Sequence, residues 1–315
     1  MTMTVHLARL LVLAVIFVNG WTDAPNAIAT AVGSGAMSFR RGVALAAVCN
    51  FIGAVAACLC FPAVADTMGA LVAFSSPQTA LAALNAALLS IVLWAVAAWR
   101  FGLPTSESHA LLAGLSGGAF ALGAGAASLS VGAWIRALAG LALSLPAGVL
   151  AGRVFRRVLT GRVRRPAAWQ RGGAALTALL HGVQDGQKFL ALLLLTGGLG
   201  GDTDASRLTL ALLTAGVMAL GTALGGKPIV EKVGSGLATL SPADGLAADL
   251  GAGSVLLICS ALGLPASTTH AKVAAICGAG RGTDRRVMGQ MVGAWALTFP
   301  ACGAMAFLLT RVMMG

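Results

Sequence analysis

Residues 81–98 run for 18 positions without a charged side chain, and strongly apolar stretches recur at 10–18, 41–65, 110–131, 137–150, 174–199, 208–224, 246–264 and 290–309. A bilayer core about 30 Å thick needs about 20 residues of helix to cross it. Several of these stretches are long enough to span, and the shorter ones suit broken or re-entrant helices. With 10% charged residues, 58% hydrophobic residues, 42 glycines and a mean hydropathy of +0.89 in 315 residues, a water-soluble core is excluded. The expectation is an all-α integral membrane protein with roughly 8 to 12 membrane segments. The first 29 residues read as a membrane helix rather than a cleaved leader, because Asn19, Asp23 and Asn26 fill the stretch where cleavage would fall.

Charge is unevenly spread. Arg153, Arg156, Arg157, Arg162, Arg164, Arg165 and Arg171 fall in one stretch with no acidic residue among them, within a chain of net charge +11. Such a stretch marks a cytoplasmic loop by the positive-inside rule, and places the protein in the cytoplasmic membrane. A nucleic-acid patch would need interleaved aromatics and a soluble domain, so no nucleic-acid partner is expected. The six cysteines lie in apolar surroundings without CxxC pairs, so neither a disulfide framework nor a metal site is expected.

The chain repeats itself. FVNGWTDAPNAIA at 17–29 aligns with LLHGVQDGQKFLA at 179–191, placing Gly20 on Gly182 and Asp23 on Asp185 at an offset of 162. GLPTSESHA at 102–110 aligns with GLPASTTHA at 263–271 at an offset of 161. Two separate motif pairs at nearly one offset indicate a tandem duplication, with a first repeat over 1–152, an arginine-rich linker over 153–171 and a second repeat over 172–315. Duplicated halves are a common plan for transporters, with the site where the repeats meet. Helix packing alone accounts for the glycines. It does not account for ionisable groups inside membrane segments, which are costly to insert and are functional candidates by default.

In both copies Gly-Leu-Pro breaks a helix, and the hydroxyls that follow suit a helix start: Thr105, Ser106 and Ser108 in the first, Ser267, Thr268 and Thr269 in the second. Two helix N-termini carrying these hydroxyls would present unpaired N–H groups and positive dipole ends, a cradle for a tetrahedral oxyanion. Asp23 with Asn19 and Asn26, and Asp185 with Gln184 and Gln187, offer oxygens at helical spacing on one face. Carboxylates beside an anion require a cation between them, and a bound sodium ion or proton would couple the two ligands. Lys188 either neutralises Asp185 or meets the anion, Lys272 either snorkels or sits in a cavity, and His109 and His270 support the serine motifs. No enzyme is expected: Ser106 and His109 share one helical turn without a nucleophile elbow, and Gly221 to Lys227 imitates a phosphate loop until Pro228 takes the place of its Ser or Thr.

NGWTDAPNAIATAVGSGA, GLPTSESHA, HGVQDGQK and KPIVEKVGSGLATLSPADGLAADL followed by GLPASTTHA, in this order, resemble the inorganic phosphate transporter family over about residues 8–310. The resemblance implies a secondary transporter of inorganic phosphate with sodium or proton coupling and no cofactor. It also implies inverted repeats, each carrying a re-entrant hairpin, and a homodimer. By it, Ser106, Ser108, Ser267, Thr268 and Thr269 bind the anion, and Asp23, Asn26 and Asp185 the cation. The chain departs from the family pattern at Gln184, where an asparagine is usual, at Thr22 and Pro25 in the first helix, and at Glu107, where a serine is usual.

Some sulfate permeases share this pattern. Phosphate keeps an O–H at neutral pH and sulfate does not, so a carboxylate in the site accepts a hydrogen bond from phosphate and rejects sulfate. An inward-facing Glu107 therefore favours phosphate over sulfate, whereas a Glu107 turned away would pair with Arg100 or carry the coupling proton. An uncoupled anion channel or exchanger is the alternative of another class.

Overall fold

The computed structural model describes residues 2–60, 63–74, 76–123, 129–196 and 204–314. Within them the first repeat contributes α1 (Thr2–Thr22), a 3-10 turn (Ala24–Ile28), α2 (Ala29–Gly33), α3 (Phe39–Cys60), α4 (Ala63–Gly69), α5 (Pro77–Arg100), α6 (Glu107–Ala121) and α7 (Val131–Leu159). The second contributes α8 (Pro166–Leu195), α9 (Asp204–Leu224), α10 (Lys227–Glu231), α11 (Pro242–Ala261), α12 (Thr268–Ala279) and α13 (Arg285–Met314). Only two isolated bridges interrupt this all-helical pattern among the described residues. The arginine-rich stretch is largely helical, since α7 runs to Leu159 and α8 starts at Pro166, leaving residues 160–165 between them.

Among the described residues, seven segments are long and apolar enough to cross a membrane. α8, 30 residues long, carries His181, Gln184, Asp185, Gln187 and Lys188 in its second half and is the eighth long helix. The two most enclosed apolar helices are α5 and α11, 61% and 72% buried over their apolar windows against 28% to 44% for the other five. They are the entering arms of two hairpins whose returning arms are α6 and α12.

Both hairpins double back. Val72, ahead of α5, bridges to Leu129, beyond α6, and Thr239, ahead of α11, bridges to Arg281, beyond α12. Each hairpin therefore leaves on the side where it entered. Outside the hairpins, the long helices are α1, α3 and α7 in the first repeat and α8, α9 and α13 in the second. Three is odd, and an odd number is what inverted repeats require.

Local chemistry sets both hairpin tips. α5 and α11 end in matching caps: Gly102 and Gly263 take positive φ of 62° and 66°. Leu103 N–H donates to the Ala98 carbonyl (3.0 Å) and Leu264 N–H to that of Cys259 (2.8 Å). This pattern closes a helix end where a left-handed residue, usually glycine, is required. After the proline, Ser106 and Ser267 are extended, and their hydroxyls cap α6 and α12 by accepting from His109 N–H (3.4 Å) and His270 N–H (3.2 Å).

The repeats interlock. α1 packs on α9 and α8 on α3, while α6 packs on α13 and α12 on α7, so the principal contacts cross from one repeat to the other. Glycines make this possible: a Cβ at Gly20 would lie 2.2 Å from the Met218 carbonyl oxygen, and one at Gly182 2.3 Å from that of Asn50. The repeat-related glycines thus hold the α1/α9 and α8/α3 crossings at backbone contact. Gly20→Ala is expected to lower stability by about 1–3 kcal/mol through overpacking. Thermal unfolding in detergent measures this, and an unchanged midpoint would show that the crossing relaxes freely.

Candidate functional site

The two tips meet two broken or polar helices at the centre of the interlocked repeats. α1 stops at Thr22, because Pro25 cannot continue it, and Asp23 stands at the head of the 3-10 turn that follows, with its carboxylate free of any capping bond. Asn19, Asp23 and Asn26 therefore do not share one continuous helix face, as their spacing predicts. Asn19 lies in the last turn of α1, Asp23 at the break and Asn26 in the turn. All three are buried.

Asp23 is held by the second hairpin. Its Oδ1 accepts from Thr269 Oγ1 (2.5 Å) and Asn26 Nδ2 (2.9 Å), and its Oδ2 from Thr268 Oγ1 (3.0 Å). Thr269 Oγ1 also lies 2.9 Å from the Thr105 carbonyl oxygen, which ties the two tips together. Asp185 is held from three sides: its Oδ1 accepts from Lys188 Nζ (2.6 Å), its Oδ2 from Asn19 Nδ2 (3.0 Å), and His181 Nε2 lies 3.3 Å from Oδ2. Lys188 Nζ also donates to Ser108 Oγ (2.8 Å) and to the Ala266 carbonyl (2.7 Å), joining α8 to both tips.

Ligand atoms of Asp23, His181 and Asp185 all lie within 4.8 Å of one another. Three buried oxygen or nitrogen donors this close can share one cation. Sequence spacing did not bring out His181, although it stands four residues before Asp185 and aligns with Asn19 at the offset of 162.

Glu107 points inward. Arg100, the last residue of α5, is exposed and takes no part. Glu107 Oε1 lies 3.5 Å from Thr22 Oγ1, and its Oε2 is buried without a hydrogen-bond partner. It lines a narrow cavity with Asn19, Asp185 and Lys188, closed on its other sides by apolar residues including Leu111 and Phe189.

The remaining sequence candidates divide between framework and site. Gln184 accepts from Ser260 Oγ (2.5 Å) and donates to the Leu264 carbonyl (3.0 Å), bracing the second tip. Gln187 accepts from Val64 N–H (2.9 Å) and donates to the Val183 carbonyl (3.1 Å), so its amide is spent on α4 and on its own helix. His109 and His270 stack edge to face with centroids 4.7 Å apart, and Phe299 and Trp295 flank them behind the tips. Lys272 neither snorkels nor lines a cavity. It is 2% exposed and bound to Asp249, with a second bond to the Ala27 carbonyl (2.9 Å), because a buried ammonium must be paired.

A family model described as the phosphate transporter family matches residues 19–172 and 162–306. The chain belongs to this family. It is 30% identical to the "Probable low-affinity inorganic phosphate transporter" of Bacillus subtilis (strain 168), over 96% of this chain and 95% of that one. It is 32% identical to the protein of the same description in Rhizobium meliloti (strain 1021), over 93% and 91%. Against its counterpart in Mycobacterium tuberculosis (strain ATCC 25618 / H37Rv) the identity is 33%, over 92% of this chain and 73% of that one. A solved structure, "The sodium-dependent phosphate transporter", superimposes with a TM-score of 0.84 over 100% of this chain and 99% of its own, at 20% identity. Membership bears out the reading of a multi-pass membrane transporter rather than an enzyme.

Proposed function

We propose that the protein is a secondary transporter that moves inorganic phosphate across the cytoplasmic membrane with a sodium ion or proton, by alternating access at the site between the repeats. One observation carries this: two capped helix N-termini, from opposite repeats, are tied to buried aspartates, the second directly to Asp23 through Thr268 and Thr269 and the first to Asp185 through Lys188. Thr105, Ser106, Glu107 and Ser108 of the first tip and Ser267, Thr268 and Thr269 of the second bind phosphate. Ser106 and Ser267 use their oxygens as cap acceptors and keep their O–H groups for the anion. Asp23, Asn26, Asn19 and Asp185 serve the cation. Because the aspartates already hold tip hydroxyls or the lysine that bridges the tips, cation binding and tip position are linked. The loop between α7 and α8 lies on the cytoplasmic side, in keeping with its arginines.

The test is uptake of labelled phosphate and labelled sulfate into proteoliposomes, with sodium and pH gradients imposed separately. Phosphate accumulation under at least one gradient is expected, and absence of uptake under both refutes the proposal. The inward Glu107 makes a sharper demand. Wild-type phosphate uptake is expected to resist excess sulfate, while Glu107→Gln becomes sensitive to it by about 10- to 100-fold, the worth of a hydrogen bond to a charged group. Equal sulfate sensitivity in both proteins would remove Glu107 from anion selection.

A further inference from the structure

The repeat symmetry extends from residues to hydrogen bonds, and Asn26 and Lys188 are where one chain of those bonds differs. Adding 162 to Asp23 and Asn26 gives Asp185 and Lys188, and adding 161 to Thr105 and Ser108 gives Ala266 and Thr269. In the first cluster Asn26 Nδ2 donates to Asp23 and lies 3.4 Å from Thr269 Oγ1, which in turn meets the Thr105 carbonyl. In the second, Lys188 Nζ donates to Asp185 and to Ser108 Oγ, and Ser108 Oγ donates to the Ala266 carbonyl (3.1 Å). Carboxylate, hydroxyl and backbone carbonyl are reproduced. Within this chain of bonds the amide of Asn26 is exchanged for an ammonium; beside it, Thr268, which donates to Asp23, is matched by Glu107.

That exchange decides what each cluster can hold. Around Asn26 stand a carboxylate, a hydroxyl and a carbonyl oxygen, the hard donors that suit a small monovalent cation, and the side-chain oxygen of Asn26, Oδ1, is itself buried without a hydrogen-bond partner. Around Lys188 the equivalent oxygens, Asp185 Oδ1, Ser108 Oγ and Ala266 O, converge on Nζ at 2.6, 2.8 and 2.7 Å. An ammonium has three N–H donors and here all three are met. A mobile cation at the same place would lie within bonding distance of a fixed positive charge in a buried site, where like charges repel most strongly.

We propose that Lys188 is a tethered cation that permanently fills the second repeat's ion site, so that only the Asp23 and Asn26 site exchanges its ion during transport. The inference rests on the transport reading above. Lys188 supplies positive charge beside the phosphate without drawing on an ion gradient, because its ammonium moves with the protein and is never released. The transporter then couples each phosphate to one fewer mobile cation than a protein with two asparagine-type sites.

Two measurements test this. The first is sodium binding to the purified protein in detergent, counted with radioactive sodium and without phosphate. Wild type is expected to bind at most one ion in the cluster, and Lys188→Asn, which restores the residue of the first repeat, one more than wild type. The second is the number of cations moved per phosphate, from the reversal potential of phosphate flux in proteoliposomes under set sodium, proton and phosphate gradients. One is expected for wild type and two for Lys188→Asn. An unchanged count in a folded Lys188→Asn protein overturns the proposal and leaves Lys188 as a structural ion pair. Should the variant fail to fold, wild type decides: one cation per phosphate supports the proposal, and two overturn it. Absence of phosphate flux under every gradient would sink the transport reading instead, and the sodium count is obtained independently of it.

Discussion

Asp23→Asn is expected to abolish concentrative phosphate uptake while the protein still folds. Asp23 is the group that both threonine hydroxyls of the second tip, Thr268 and Thr269, reach in the described structure, and it binds Asn26 as well. An asparagine keeps one oxygen, loses the charge, and turns an N–H₂ toward at least one of these donors. Hydrogen bonds to charged groups contribute about 1.5–3 kcal/mol each. Losing two costs about 3 kcal/mol or more, roughly a 100-fold loss in cation affinity and in the coupled rate. Downhill phosphate flux is expected to persist more than accumulation, because the anion's own hydroxyls and N–H groups remain. Initial rate and steady-state accumulation in proteoliposomes separate the two. A variant that accumulates phosphate as wild type does would remove Asp23 from coupling and favour an uncoupled exchanger. Asp185→Asn is a harsher change, since it strands the Lys188 ammonium among neutral partners in a buried site, and loss of folded protein is expected there as well as loss of uptake.

The parts of this site that were legible in the sequence are those fixed by short-range signals. Gly102, Pro104 and Ser106, with Gly263, Pro265 and Ser267, state a helix end, a break and a new N-cap within five residues, and the structure has each at its place. The repeat offset carried Asp23 onto Asp185 and so located the second half of the cluster. What was not legible is which neighbour each face of a buried helix meets. Gln184 and Gln187 flank Asp185 at helical spacing, yet the middle of α8 is enclosed on all sides, and their amides meet the second tip and α4. Spacing also failed at Pro25, which keeps α1 from running past Thr22 and swings Asn26 into a separate turn. His181 was detectable through its alignment with Asn19. Asp249 was not, because position 88, its counterpart at the 161 offset, is a leucine and gives no symmetry signal.

That second buried pair carries the largest expected effect on stability. Asp249 is fully buried, and its Oδ1 accepts from Lys272 and from Thr30 Oγ1 (2.5 Å). Lys272 stands on α12 three residues after Thr269, and its second bond goes to the Ala27 carbonyl, the residue after Asn26. The pair therefore clamps the second hairpin and α11 to the broken first helix immediately behind the aspartate site. Removing one partner of a buried pair costs about 3–5 kcal/mol, because the other charge is left unpaired, whereas replacing both with apolar side chains of similar size is often neutral. Lys272→Met and Asp249→Leu, each alone, are expected to lower the unfolding midpoint in detergent sharply, and the double variant to recover most of the loss. Uptake by the double variant then has a separate meaning. If stability returns without transport, the clamp is what makes the second tip and the Asn26 turn move as one body when the site changes sides. If both return, the pair is a packing device, and the bonds from Thr268 and Thr269 to Asp23 suffice to carry that motion.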